Sequence, residues 1–139
     1  GAPTWFRQHY VSGGTGSAYY YKCATDSSGN IYSVGTFSTT AQSGNAWITK
    51  TNSSGTLQWS KCLNTPAAGG AYIDNGTTIG IHPDGSLYFC GKTGNPAGQF
   101  IAKLNASDGS IVWIRKLACA SAWTTGNWGK IYFYQGSYI

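Results

Sequence analysis

Residues 52–61 read NSSGTLQWSK, and a matching stretch, SDGSIVWIR, occupies residues 107–115. The tryptophans of the two stretches, Trp59 and Trp113, lie 54 residues apart, and Trp5 precedes Trp59 by the same interval. Recurrence at one fixed spacing indicates a repeated structural unit. We therefore interpret the three tryptophans as structural anchors of a repeat and expect them to pack between successive units.

The residues upstream of the tryptophans repeat as well. AWITKTN at 46–52 matches QFIAKLN at 99–105, and DSSGNIYSVG at 26–35 matches PDGSLYFCG at 83–91. A last, partial copy, GKIYFY, stands at 129–134. The repeat therefore extends well beyond the tryptophan motif.

Each full copy predicts four short strands. Runs with apolar residues are separated by turns such as Ser-Ser-Gly and Asp-Gly, which are hairpin signals because glycine reaches positive φ without a Cβ clash. We expect strands at 20–24, 31–34, 46–50 and 57–62 in the first copy, and at 77–81, 87–90, 100–104 and 111–117 in the second.

Composition agrees with an all-β fold. The 139 residues include 20 Gly, aromatic residues make up 15%, and only 9% are charged, against roughly 25% in an average soluble domain. Short strands joined by many tight turns give this composition. Four antiparallel strands in about 50 residues form one β-propeller blade, so the chain is predicted to carry about two and a half blades.

These blades divide the chain. We expect a fourth-strand segment of a preceding blade plus a linker at 1–17, blade one at 18–63, a connector at 64–75, blade two at 76–119 and a partial third blade at 120–139. A closed propeller needs roughly four to eight blades. The chain is therefore expected either to form a homo-oligomer or to be part of a longer chain.

The run DSSGNIY at 26–32, followed by WITKTNSSGTLQW at 47–59, resembles the bacterial and phage β-propeller repeat often called the seven-bladed repeat. The resemblance covers residues 18–117 and, in part, both ends. It implies a propeller of the kind found in secreted bacterial proteins and in phage tail-fibre-like proteins. It does not imply one activity, because a shared fold supports many functions.

Few side chains are spare for catalysis. The acidic residues are all aspartates placed in predicted turns, where Asp accepts hydrogen bonds from nearby backbone amides: Asp26, Asp74, Asp84 and Asp108. The sequence offers no carboxylate pair for glycoside hydrolysis and no G-x-S-x-G nucleophile elbow. We therefore predict a non-enzymatic protein with no catalytic residues and no cofactor.

No metal site is predicted. The cysteines form no CxxC pair, which argues against zinc, and we expect them to be small buried hydrophobic residues, although two disulfides remain possible: Cys23, Cys62, Cys90 and Cys119. The oxygen-rich run at 26–30 leaves calcium as an alternative to an Asx turn. The turn is favoured because an EF-type loop needs more carboxylates.

Charge and hydropathy limit the partners. The net charge is +5, but the nine basic residues are scattered, whereas a nucleic-acid-binding protein would usually group them in one stripe. We expect no nucleic-acid binding; weak attraction to an anionic polysaccharide fits the charge better. No apolar run reaches the ~18 residues of a membrane-spanning helix, so no membrane insertion is predicted.

Several aromatic residues do not follow the repeat. Exposed rings beside Asn, Thr and Ser suit sugar recognition, because a ring stacks on the sugar while amides and hydroxyls bond its hydroxyl groups. The candidate glycan-binding residues are Trp123, Asn127, Trp128, Tyr19, Tyr21 and Tyr72. The alternative is that these rings fill the edges of blades.

These observations favour a structural and attachment module of a phage tail fibre or other virion appendage, with host surface glycans as ligands and an extracellular or virion-surface location. The alternative is a secreted bacterial lectin or adhesin assembled as an oligomeric propeller. Both follow from the resemblance and the aromatic pattern.

Overall fold

The computed structural model describes residues 4–9, 18–38, 45–63, 75–94 and 97–117. Within these ranges all regular structure is β-strand, and no helix is present that could span a membrane. The partial third blade, nearly all of the connector and most of the linker predicted above lie outside the described residues.

Eight strands form two four-stranded antiparallel sheets. The first sheet contains β1 (Ala18–Thr25), β2 (Ile31–Phe37), β3 (Asn45–Thr51) and β4 (Leu57–Leu63), in that order. The second contains β5 (Asn75–Ile81), β6 (Leu87–Gly94), β7 (Ala97–Leu104) and β8 (Ile111–Leu117), also in chain order. The all-β prediction and the positions of the eight strands are confirmed.

The four hairpin turns share one design. In each, a glycine with φ between 71° and 83° donates its N–H to the carbonyl of the first residue of the turn. Glycine occupies that region of φ without a steric cost. The side chain of the first residue also accepts the backbone N–H two residues further on, and these first residues are Asp26, Asn52, His82 and Asn105. His82 thus takes the place of Asp or Asn in this turn, and its Nδ1 atom is the hydrogen-bond acceptor.

The two sheets stack face to face around one core. Alternate residues of a strand point to the same face, so β2 and β3 present one apolar row each to the second sheet. β5 packs across β1, β2 and β3. The core residues are at most 7% exposed and comprise Tyr32, Val34, Ala46, Ile48, Ile79, Leu87, Phe89, Phe100, Ala102 and Leu104.

The sheets also repeat their irregularities. The register of the β1–β2 pair shifts between Tyr20 and Lys22, and that of β5–β6 shifts between Gly76 and Thr78. The β3–β4 and β7–β8 pairs both shift directly after a lysine, Lys50 or Lys103. Because each bulge adds one residue to one strand, these matching shifts show that the sequence repeat is a repeat of strand register.

Candidate functional site

Trp59 connects the first sheet to a turn of the second. Its indole Nε1 donates to the carbonyl oxygen of Ala106 over 3.2 Å, and Lys50 Nζ donates to the same oxygen over 3.0 Å. The ring lies against Gly109, where an added Cβ would be 2.8 Å from Cε3 of the indole. One carbonyl is therefore held by two donors beneath an aromatic ring.

Trp5 makes the equivalent contact on the first sheet. Its Nε1 donates to the carbonyl oxygen of Ser53 over 3.1 Å. A Cβ added to Gly55 would lie 2.8 Å from Cδ2 of this indole. Ser53 and Ala106 are both the second residue of a turn joining the last two strands of a sheet. Residues 4–9 therefore occupy on the first sheet the place that β4 occupies on the second.

Three neighbouring side chains of the first sheet form what we call the clamp: Tyr32, Lys50 and Trp59. Lys50 and Trp59 hold the Ala106 carbonyl, and Tyr32 lies beside both. The tyrosine and tryptophan ring centroids are 6.1 Å apart, and Lys50 Nζ lies 5.3 Å from the tyrosine centroid.

The second sheet carries the same clamp in Tyr88, Lys103 and Trp113. The corresponding separations are 6.0 Å between rings and 5.6 Å from Lys103 Nζ to the tyrosine centroid. Among the described residues, none accepts a hydrogen bond from Trp113 or Lys103. The clamp therefore has nearly the same internal geometry on the first sheet, where it holds the Ala106 carbonyl, and on the second sheet.

A second surface, the tyrosine edge, consists of Tyr19, Tyr20 and Tyr21 on the outer strand β1. Their side chains are 57%, 43% and 49% exposed. Tyr21 lies in the bulge between the paired residues Tyr20 and Lys22. A bulge changes the direction in which side chains leave a strand, so three consecutive tyrosines all retain access to solvent here.

Tyr20 is the fixed member of the tyrosine edge. Its ring stacks on Trp47, with centroids 5.0 Å apart and planes at 19°. Its hydroxyl is hydrogen-bonded to Thr49 Oγ1 at 3.1 Å and to His9 Nδ1 at 2.9 Å. Burial raises the pKa of Tyr20, and the hydrogen bond with Thr49 acts in the opposite direction.

The tyrosine edge has the two chemical features on which sugar recognition depends. Phenol rings offer apolar faces for stacking, and their hydroxyl groups exchange hydrogen bonds with a polyol. Lys22 is exposed on the same strand and adds a positive charge. Of the candidate glycan-binding residues, Tyr19 and Tyr21 lie on this edge, whereas Trp123, Asn127, Trp128 and Tyr72 lie outside the described residues. Tyr20 was not among the candidates, although its place inside the tyrosine run marks it.

Both carboxylate oxygens of Asp26 accept hydrogen bonds from residues in or next to its own turn. Oδ1 accepts the backbone N–H groups of Ser28 and Asn30, each at 2.9 Å, and Oδ2 accepts Asn30 Nδ2 at 2.8 Å and the Tyr32 hydroxyl at 3.1 Å. Burial opposes ionisation, but the hydrogen bonds from Asn30, Tyr32 and Ser28 outweigh it and lower the pKa of Asp26. This is the predicted Asx turn.

The same turn affects Tyr32. Burial, together with the hydrogen bond to Asp26, raises the pKa of Tyr32 to about 12. In the part of the chain that the structure describes, no three His, Cys, Asp or Glu side chains are placed to hold a metal ion.

The exposure of Cys23 and Cys62 differs from the predicted burial. Both are exposed free thiols, whereas Cys90 is half-buried. Burial was predicted for all four cysteines, and it is wrong for Cys23 and Cys62 because they lie on β1 and β4, the outer strands of the first sheet. Cys119 lies outside the described residues.

Comparison of the chain with protein-family models and with curated proteins finds no match. The resemblance to the seven-bladed repeat therefore stays a prediction that rests on the motifs at 26–32 and 47–59. The protein contains two docked, four-stranded antiparallel sheets of equivalent register.

Proposed function

We propose that the chain is a non-enzymatic structural and attachment module, built from propeller-type blades, in a phage tail fibre or other virion appendage at the extracellular or virion surface. The proposal depends on one repeated contact: Trp5 and Trp59 each donate an indole hydrogen bond to a carbonyl in the equivalent turn of the following sheet. A contact repeated in this way builds rows of rigid sheets, as a display scaffold requires. The sequence resemblance supports the virion context.

A scaffold role agrees with how the described carboxylates are used. Asp26, Asp84 and Asp108 each accept backbone N–H groups inside a turn. Catalysis by general acid and base needs titratable groups that face a substrate. In these turns the carboxylates stabilise the hairpins.

The tyrosine edge supports attachment to a surface glycan. Tyr20 is held by stacking and two hydrogen bonds, so a ligand that meets its ring adds little ordering cost. Its neighbours Tyr19 and Tyr21 are exposed and accessible to the same ligand. Preorganised aromatic side chains lose little conformational entropy on binding. The net charge of +5 favours acidic sugars.

The test is a glycan array probed with the intact chain, followed by titration of any bound glycan against variants. Tyr19→Ala and Tyr21→Ala are expected to weaken binding by about tenfold each, as loss of a stacked ring does. Thr25→Ala, an exposed position on the same strand, is the matched control. Trp123→Ala and Trp128→Ala examine the other predicted residues. Undiminished binding by all four aromatic variants would remove the site.

A secreted bacterial lectin or adhesin, assembled as an oligomeric propeller, is the second candidate, and the same exposed tyrosines support it. The genes beside the parent gene separate the two. Virion structural genes on both sides would support the appendage, and their absence would favour the lectin.

A further inference from the structure

The clamp of the second sheet has the same internal geometry as the clamp of the first. On the first sheet, Trp59 Nε1 and Lys50 Nζ both donate to the carbonyl of Ala106. On the second, Trp113 and Lys103 flank the Tyr88 ring at nearly the same separations. The chemistry that this clamp recognises is therefore a backbone carbonyl in a tight turn.

A glycine in the bound turn further limits which turns can fit the clamp. Both turns that receive a tryptophan place Gly55 or Gly109 so close to the indole that a Cβ would lie 2.8 Å from a ring atom. At Gly85, in a turn of the other kind, an added Cβ meets nothing within 4 Å. The clamp thus fits the turns at 52–56 and 105–110.

These two turns differ in accessibility. The turn at 105–110 is gripped by Trp59 and Lys50 within the packing of the two sheets. The turn at 52–56 is gripped by Trp5, in a short segment that includes Phe6, which is 80% exposed. Uncovering the first of these turns requires separating two sheets, whereas uncovering the second requires only that residues 4–9 move away.

The segment at 4–9 and strand β8 carry the same side chains. Trp5-Phe6-Arg7 and Trp113-Ile114-Arg115 share a Trp-Xaa-Arg triplet, and the Arg7 side chain contributes to the contact, with Cγ 3.3 Å from a Cβ built on Gly55. Around Trp113, Ile111, Val112 and Ile114 are 45%, 59% and 37% exposed. Strand β8 therefore presents the triplet on an accessible, apolar strand.

We propose that a second copy of this chain docks head to tail on the first, its turn at 52–56 entering the clamp formed by Tyr88, Lys103 and Trp113. Trp113 and Arg115 then replace Trp5 and Arg7 of the second copy. Residues 4–9 act as an intramolecular competitor that limits association. This proposal rests on the array of docked blades proposed above, but it does not depend on glycan binding.

The test measures self-association of the intact chain by sedimentation velocity over a range of concentrations. Trp5→Ala removes the competitor and is expected to tighten association by about tenfold or more, the scale of losing one anchoring aromatic. Adding Trp113→Ala to this variant is expected to return it to monomer. Adding Val112→Ala instead, at an exposed neighbour in the same strand, is expected to weaken association much less than Trp113→Ala, because it removes neither a ring nor a hydrogen-bond donor.

Two further measurements test the same proposal if Trp5→Ala impairs folding. Arg7→Ala weakens the same segment more gently and is expected to shift association in the same direction. A fluorescent peptide with the sequence of residues 111–117 is expected to bind the Arg7→Ala chain more tightly than the unaltered chain. The same peptide with alanine in place of the tryptophan is expected not to bind.

Monomeric behaviour of both weakened variants at their solubility limit would overturn the proposal. Association that persists after Trp113→Ala would overturn it as well, because another surface would then be responsible. Glycan binding is read in a separate assay, so a chain that associates without binding sugar, or binds sugar without associating, identifies which of the two proposals has failed.

Discussion

Trp59 covers Gly109 so closely that a Cβ on the glycine would lie 2.8 Å from the indole Cε3 atom and 2.9 Å from Lys61 Cγ. The glycine has φ of 71°. Backbone conformation and packing therefore both require glycine at this position. The second requirement comes from the other sheet, so this one residue reports on docking as well as on its own turn.

Substitution of Gly109 by alanine is expected to lower the free energy of unfolding more than the same change at Gly85. Both positions carry the cost of positive φ, about 1 kcal/mol, but only Gly109 adds a clash, at about 1–3 kcal/mol. Chemical denaturation of the two variants measures the difference. Equal losses would show that Trp59 does not pack on this turn in solution.

Two replacements of Trp59 distinguish the stability contributed by its hydrogen bond from that contributed by its ring. Trp59→Phe removes the donor to Ala106 and is expected to cost about 1 kcal/mol. Trp59→Ala also removes the ring and is expected to cost about 3–5 kcal/mol. The measurement is again chemical denaturation. A phenylalanine variant as unstable as the alanine variant would assign the stabilisation to the hydrogen bond alone.

Acid is expected to weaken the fold through its turns. Hydrogen bonds from the backbone N–H and the side chain of Ser86 lower the pKa of Asp84 from 3.8 to about 2. The folded pKa is below the unfolded one, so the stability that Asp84 contributes is complete above about pH 4 and is lost as the pH falls towards 2.

The melting temperature, followed between pH 5 and pH 2, tests this expectation. Asp84→Asn keeps an acceptor for the Ser86 amide but does not titrate, so its melting temperature is expected to fall less steeply in this range. Asp26 and Asp108, whose pKa values are also lowered, account for the remaining slope. An identical pH profile for Asp84→Asn would contradict the assignment.

Tyr20→Phe is expected to loosen the attachment of residues 4–9. The change removes the hydroxyl bonded to Thr49 and His9, at about 0.5–1.5 kcal/mol per bond, while the stacking on Trp47 stays. Hydrogen exchange at residues 6–9 is expected to accelerate. Tyr21→Phe, on the same exposed strand, is the control and is expected to leave exchange unchanged.

Sequence predicted the strands well because each depends on local signals. Alternating apolar residues and glycine turns placed all eight, and the recurrence of Trp59 and Trp113 indicated equivalent units. The partner of each tryptophan could not be deduced, because the acceptor is a carbonyl, Ser53 or Ala106, which any residue type supplies.

Three further features escaped sequence reasoning for related reasons. His82 takes the role of an Asx side chain through Nδ1, which depends on its orientation rather than its residue type. Tyr20 is held by Trp47 and Thr49, which are distant in sequence. The exposed thiols of Cys23 and Cys62 follow from their places on outer strands, which composition does not reveal.

The register shifts have a consequence for solubility. Each of the four outer strands, β1, β4, β5 and β8, belongs to a strand pair with a bulge. A regular outer strand exposes an unbroken row of amide and carbonyl groups that invites cross-β pairing with other molecules, and a bulge interrupts that row. The irregularity that repeats from sheet to sheet therefore also protects a sparsely charged chain against fibrillar aggregation.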